Sequence, residues 1–350
     1  MKKKIVAVLL TAVMAMGLAA CGSGTDAGAD ANTDDAKVYK VGIIQFVDDA
    51  SLNQIEKNIE TELDKKGKEL GVTFDYADYT FNGQADATTL NQITTQLISD
   101  EVDVIIPIAT PTAQIVQAAT EDNPIPVVFS AVSDPVGASL VASMDAPGSN
   151  ITGTSDALNT NTIMDMIFAA DPDADYIGLL YSKSEDASTQ AIADAKAYLD
   201  AKGVAYIEKT GTTTDEVSSA ADALVAEGVD AIFTPTDNTI MTAELAIYEK
   251  LADAKIPHYT GADSFALNGA FLGYGVDYAN LGVETADMVV EILVDGKNPA
   301  EMAVKTFDNG LATINTQTCA AIGYDLETVK AALADYCTQI SEIETAEEFE

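Results

Sequence analysis

The chain has 350 residues, enough for two domains of ordinary size, and a globular composition: 47% hydrophobic, 21% charged, no Trp and a single His. Its formal charge is -38 at pH 7, from 18 basic and 56 acidic side chains. Such a balance excludes nucleic acid and anionic membrane surfaces as docking partners and suits a soluble, exported protein.

Residues 1–20 read as an export signal. Lys2-Lys3-Lys4 is the positive end, and Ile5 to Met16 is an apolar segment too short to span a bilayer. Leu18-Ala19-Ala20 is a small-residue cleavage context, with Cys21 directly behind it. Leu18-Ala19-Ala20-Cys21 resembles a bacterial lipobox, which implies cleavage before Cys21 and lipid attachment to that residue, anchoring the chain to the outside of the cell membrane. Residues 21–37 are small, polar and acidic, the composition of a flexible tether.

From Tyr39 strands and helices alternate. Lys40 to Val47 is strand-like, Leu52 to Leu70 has helical spacing and ends at Gly71, Val72 to Tyr79 is a strand, and Ala85 to Asp100 a helix. Val102 to Ile108 is a continuous apolar run, as a parallel strand covered on both faces requires. It leads through Thr110-Pro111-Thr112 into a helix and then a strand from Ile125 to Phe129. The same outline recurs from Val229: apolar strand, Thr234-Pro235-Thr236-Asp237, helix to Ala254, then Ile256 to Asp263. Both turns lie at the carboxyl end of a strand, where ligands sit in open parallel sheets. Two such edges imply two Rossmann-like α/β lobes facing each other across a cleft.

Three crossings between lobes are expected, at Asn150 to Asp156, at Val276-Asp277-Tyr278 and between Val304 and Ile314. They assign 38–154 plus 278–308 to lobe 1 and 155–277 plus 309–340 to lobe 2. Residues 341–350 read as an acidic, frayed tail. Export permits a disulfide between Cys319 and Cys337, but the spacing leaves a bridge and two thiols equally open.

A catalytic reading finds little material. His258, the only His, lies inside an apolar strand and reads as a packed core residue. No His/Cys/carboxylate group has metal-ligand spacing, no Gly-Xaa-Ser-Xaa-Gly elbow occurs, and the first strand runs into Gln45-Phe46-Val47-Asp48-Asp49 without a phosphate-binding glycine loop. The expectation is a binding protein, with no enzyme activity, cofactor or metal. The strand-end hydroxyls and helix-start N–H groups around Thr110 and Thr112 suit a carboxylate, while Asp156 or Asp237 suits an ammonium. Thr112 and Asp237 also read as helix caps.

These residues carry a family likeness. Ile108-Ala109-Thr110-Pro111-Thr112-Ala113-Gln114, Val128 to Val136, Asn150 to Asp156, Pro235-Thr236-Asp237-Asn238 and Tyr274-Gly275-Val276-Asp277-Tyr278 resemble, in that order, the solute-binding lipoproteins of ABC transporters of the tryptophan/tyrosine (aromatic amino acid) type. The resemblance covers Val38 to Tyr324. It implies a type I periplasmic-binding-protein fold with three crossovers, a monomer closing on a small ligand, and delivery to a permease. The ligands implied are aromatic or hydrophobic amino acids; a branched amino acid, a nucleoside or a sensor role is the alternative. Carried over residue by residue, the cleft contacts fall on Phe46, Thr110, Thr112, Ser130, Ala131, Ser155, Asp156, Glu185, Ser188, Asp237 and Asp263. The chain departs from the family at Asp49-Ala50-Ser51-Leu52-Asn53, where many relatives have a His-Pro-Xaa-Leu-Asp-like run, and at Ser182-Lys183, where relatives often have an Asn-Pro-like turn.

Overall fold

The structure, a computed structural model, describes residues 37–346. The export signal, Cys21 and the tether through residue 36 lie outside the described residues, as do residues 347–350.

The first lobe contains β1 (Val38–Gln45), α1 (Ala50–Leu70), β2 (Thr73–Asp75), β3 (Thr80–Asn82), α2 (Ala87–Ser99), β4 (Val104–Ile108), α3 (Thr110–Thr120), β5 (Val127–Phe129) and β6 (Ile151–Ser155). The chain then crosses to α4 (Thr160–Ala170), β7 (Tyr176–Tyr181), α5 (Asp186–Lys202), β8 (Ala205–Thr210), α6 (Thr214–Glu227), β9 (Ala231–Thr234), α7 (Asn238–Asp253), β10 (His258–Thr260), α8 (Asp263–Leu267) and β11 (Leu272–Gly275). It returns with α9 (Tyr278–Leu293) and β12 (Lys305–Thr306), and ends in the second lobe with β13 (Leu311–Asn315), α10 (Thr316–Ile322), α11 (Leu326–Leu333) and β14 (Gln339–Ile343).

The two sheets have the orders β12-β6-β5-β4-β1-β2, with β3 also on β1, and β14-β13-β11-β10-β9-β7-β8. All ladders are parallel except β11 with β13. This is the two-lobe α/β architecture with three crossovers that the sequence implies. The strand order reverses beside β1 and β4 in one lobe and beside β7 and β9 in the other, so each lobe opens a crevice at those carboxyl ends.

Local chemistry explains the framework. Every residue of β4 is buried, because helices cover both faces of the sheet. Ile43 and Ile44 on β1 are fully buried on opposite faces, each stabilising by about 1.5–3 kcal/mol. Asp49 caps α1 by accepting from Ser51 N at 2.9 Å, and Gly71, at φ 69°, ends the helix in the left-handed conformation that costs glycine least. The returning α9 packs on α1 backbone to backbone. A Cβ at Gly282 would lie 2.5 Å from the Ile55 carbonyl oxygen, so a side chain there would prise the helices apart.

The end of the chain differs from the expected frayed tail. Residues Gln339 to Ile343 form an edge strand parallel to β13, and Ala346 N still donates to Leu267 O at 3.1 Å. The backbone ladder holds this segment, while its acidic, half-exposed side chains conceal the strand in the sequence. The thiols do not pair. Cys319 is buried and donates to Tyr324 O at 3.8 Å, and Cys337 donates to Met166 Sδ at 3.7 Å. Among the described residues no group of His, Cys, Asp and Glu has the arrangement of a metal site, and no helix is long and apolar enough to cross a membrane.

Candidate functional site

The cleft between the strand ends encloses a small cavity. Lobe 1 supplies Ser51 and Leu52 from α1, Ala109 and Thr110 from the β4–α3 turn, and Ala131 and Ser133 after β5. Asp156 lies in the first crossing and Tyr278 follows the second. Lobe 2 supplies Thr236 and Asn238 at the head of α7, Met241 one turn on, and Phe265 on α8.

The β4–α3 turn is built to leave polar groups unspent. Ala109 sits at φ 78°, unusual for a residue with a Cβ, and offers no side-chain cap to α3. The Thr110 and Thr112 hydroxyls are buried, and neither finds a partner among the described residues. A buried unpaired hydroxyl costs about 1–3 kcal/mol, and Thr110, which lines the cavity, is placed to take a partner from a bound molecule. Ala131, at φ 55°, turns the chain over the same space after β5.

Sharing the cavity with Thr110 and Ala131 is Asp156, 5% exposed. Its Oδ1 accepts from Ser133 Oγ at 2.9 Å and its Oδ2 from the Tyr278 hydroxyl at 3.4 Å. Burial raises its pKa against the opposing effect of those bonds. Asp263 is raised likewise by burial, and burial with the nearby Asp263 charge pushes Asp49 up to about 7. Among the described residues no Lys or Arg lines the cavity. The cleft is therefore an acidic, desolvated space without a cation of its own.

The sequence-predicted residues separate into three groups. Thr110, Ala131 and Asp156 line the cavity together, with Thr112 in the same helix start. Asp263, Glu185, Asp237 and Ser188 stand behind its lobe 2 wall. Asp263 accepts from Ser51 Oγ of the opposite lobe at 2.5 Å. Both oxygens of Asp237 are used within its own lobe: Oδ1 accepts from Ile240 N at 2.9 Å, and Oδ2 from Ser182 N at 2.7 Å and Ser188 Oγ at 2.6 Å. It caps α7 and ties the strand ends of β7 and β9 together, and the geometry leaves it no lone pair aimed at the cavity. Glu185 is buried with Oε1 unpartnered, and burial first, then the Asp237 charge, pushes it up to about 8.

The third group lies away from the cavity. Ser130 Oγ is bonded to Thr285 Oγ1 at 2.9 Å in a hydroxyl cluster beneath α9. Ser155 Oγ donates to Ser133 O at 3.3 Å and borders a neighbouring groove. Phe46 is partly buried and packs against two core clusters, away from the cavity. Phe265 and Tyr278 are the aromatic side chains of the cavity wall instead. His258 is a core residue: Nδ1 lies 3.1 Å from Glu244 Oε1, Nε2 lies 2.8 Å from Thr234 Oγ1, and its ring meets Phe265 edge-on.

The chain matches the ABC transporter substrate binding protein family over residues 40–332. It is 31% identical over 326 residues to the "Tyrosine-binding protein" of Clostridioides difficile (strain R20291), covering 91% of this chain and 92% of that protein. Among solved structures it resembles an ABC domain from Streptococcus pneumonia in complex with L-Trp, at 31% identity and TM-score 0.78, covering 87% of this chain and all of that one. A ligand-free, open substrate binding protein with adhesive properties from Clostridium difficile gives 0.66 at 30% identity, covering 88% of this chain and all of that one. At nearly equal identity the TM-score is higher for the L-Trp complex than for the ligand-free, open structure. The chain belongs to the ABC transporter substrate-binding protein family.

Proposed function

We propose that the cleft captures an amino acid with an aromatic side chain and presents it to an ABC permease. The observation that carries this reading is Asp156, a buried carboxyl in a cavity that no described Lys or Arg lines and that it shares with Thr110, whose buried hydroxyl has no partner among the described residues. An ammonium beside Asp156 would offset the cost of its burial. Thr110, Thr112 and the backbone at Ala131 would take the carboxylate, as helix-start groups do. Phe265, Leu52 and Tyr278 would give the ligand's Cα and Cβ an apolar wall. The Trp and Tyr named for the relatives support a ring as the side chain.

Closure is a population shift: contacts from both lobes favour the closed form, which the permease recognises. The protein acts as a monomer held at the membrane through lipid on Cys21. A thermal-shift screen of all amino acids and nucleosides tests the reading, since a ligand at a hundred times its Kd stabilises by about 2.7 kcal/mol. Tryptophan, tyrosine or phenylalanine should raise Tm most; a response confined to nucleosides or branched aliphatic amino acids would overturn it. Cys21→Ser should move the chain out of the membrane fraction, and continued anchoring would reject the lipid.

A further inference from the structure

We infer that Met241 is the gate that sets side-chain preference, and that the ligand's ring passes it into an outer groove between the lobes. The inference rests on the amino-acid reading above and extends it. The cavity beside Asp156 leaves a water-sized sphere about 20 Å³ of free volume, room for little more than one water molecule. A space of that size cannot enclose an amino acid with its ring, so the ring needs room elsewhere. Directly beyond lies a groove with about 410 Å³ of the same free volume, between the first turn of α1 and the exposed flank of α7. Among the described residues, Met241 alone borders both spaces.

Met241 suits a movable partition. It is 6% exposed, so it seals the cavity, yet its sulfur is held by a single weak bond from Ser264 Oγ at 3.4 Å. Its unbranched side chain has three rotatable bonds and can swing aside, which a β-branched residue on a helix cannot. The groove sets apolar Val47 and Leu245 beside the carboxyls of Asp48 and Asp49 and the polar Asn53, Thr242 and Asn268. That lining suits a flat ring carrying a hydrogen-bonding group, such as a phenol hydroxyl or an indole N–H, better than a bare phenyl or a short aliphatic chain. Leu245 is 60% exposed, so a ring in the groove would cover apolar surface that now faces water.

The test is calorimetric titration of the purified chain with tryptophan and, by displacement, with valine. Met241→Ile keeps the volume but fixes the partition. Leu245→Trp fills the groove from an exposed position that folding does not depend on. Each should weaken tryptophan relative to valine by roughly tenfold, the scale on which pockets discriminate side-chain size. If the wild-type chain binds tryptophan and neither variant moves that ratio, the gate is overturned and the amino-acid reading stands. If the wild-type chain binds no amino acid, the functional reading falls and takes the gate with it.

Discussion

Ser51, at the start of α1 in the first lobe, donates its hydroxyl hydrogen to Asp263 Oδ1 at the head of α8 in the second, at 2.5 Å, and accepts from the backbone N–H of Ser264 at 3.1 Å. Ser133 with Thr236 at 2.8 Å and Gln114 with Asp186 at 2.7 Å join the same two lobes elsewhere along the cleft. The protein therefore supplies part of its own closure, and a ligand has to supply only the remainder.

Because the Ser51 bond joins the two lobes across the cleft, removing it should act on affinity more than on folding. Ser51→Ala deletes a hydrogen bond to a carboxylate, worth about 1.5–3 kcal/mol, and alanine is at home in a first helical turn. Amino-acid affinity should fall roughly tenfold or more, since each factor of ten is about 1.4 kcal/mol. X-ray scattering of the ligand-free protein should show a larger radius of gyration. Unchanged affinity and radius together would remove the latch.

Asp237 should behave in the opposite way. Asp237→Ala strips the cap from α7 and leaves Ser182 N and Ser188 Oγ without an acceptor in the interior. The cap costs about 1 kcal/mol and each buried orphan about 1–3 kcal/mol, so urea unfolding should show a loss of roughly 3 kcal/mol or more. Asp237→Asn should recover much of it. Native stability in the alanine variant, with ligand binding abolished, would return Asp237 to the ligand.

How much of this could be read in advance depends on what carries the signal. The lobes were legible because apolar runs such as Val104 to Ile108 are intrinsic to strands buried on both faces, and the turn at Thr110 because hydroxyls recur at two strand ends. Phe265 was not, since α8 has five residues, too few for a helical period. The contrast between Asp156 and Asp237 was also hidden. Both follow a strand in a polar turn, and only coordinates reveal that Asp237 spends its oxygens on Ile240, Ser182 and Ser188. Ser51 and Met241 act through partners more than 20 residues away, a relationship no local pattern encodes.

The acidic cleft makes the ligand-free closed form sensitive to pH. Burial lifts Asp49 from its usual 3.8 to about 7 and Glu185 from 4.5 to about 8. Each folded value lies above the unfolded one, so the folded chain keeps protons that the unfolded chain has released. That stabilisation is complete below about pH 4 and is lost as pH rises through about 7 to 8. Calorimetric Tm of the ligand-free protein should therefore fall between about pH 5 and pH 8, and Asp49→Asn, which can still cap α1, should flatten the decline. A Tm that climbs over that interval would contradict the burial of these carboxyls.

Asp156→Asn separates binding from folding most sharply. The amide keeps the shape of the carboxyl, and its oxygen can still accept from Ser133 Oγ, but the negative charge is gone. An ammonium brought into the cavity would then be a buried, unpaired charge, which costs about 3–5 kcal/mol, so amino-acid affinity should drop at least a hundredfold. The ligand-free protein should unfold at the same temperature or higher, because a desolvated carboxyl with a raised pKa has been replaced by a neutral group. Proton release should change too. In the wild-type chain an arriving ammonium favours the ionised form of Asp156, so at any pH where the raised carboxyl still holds part of its proton, binding releases protons and its heat depends on the buffer's ionisation enthalpy, whereas the variant should lose that contribution. An affinity that survives the substitution within about threefold, against the hundredfold expected of a buried ion pair, would place the ammonium elsewhere, with the unpartnered Glu185 the next group to substitute.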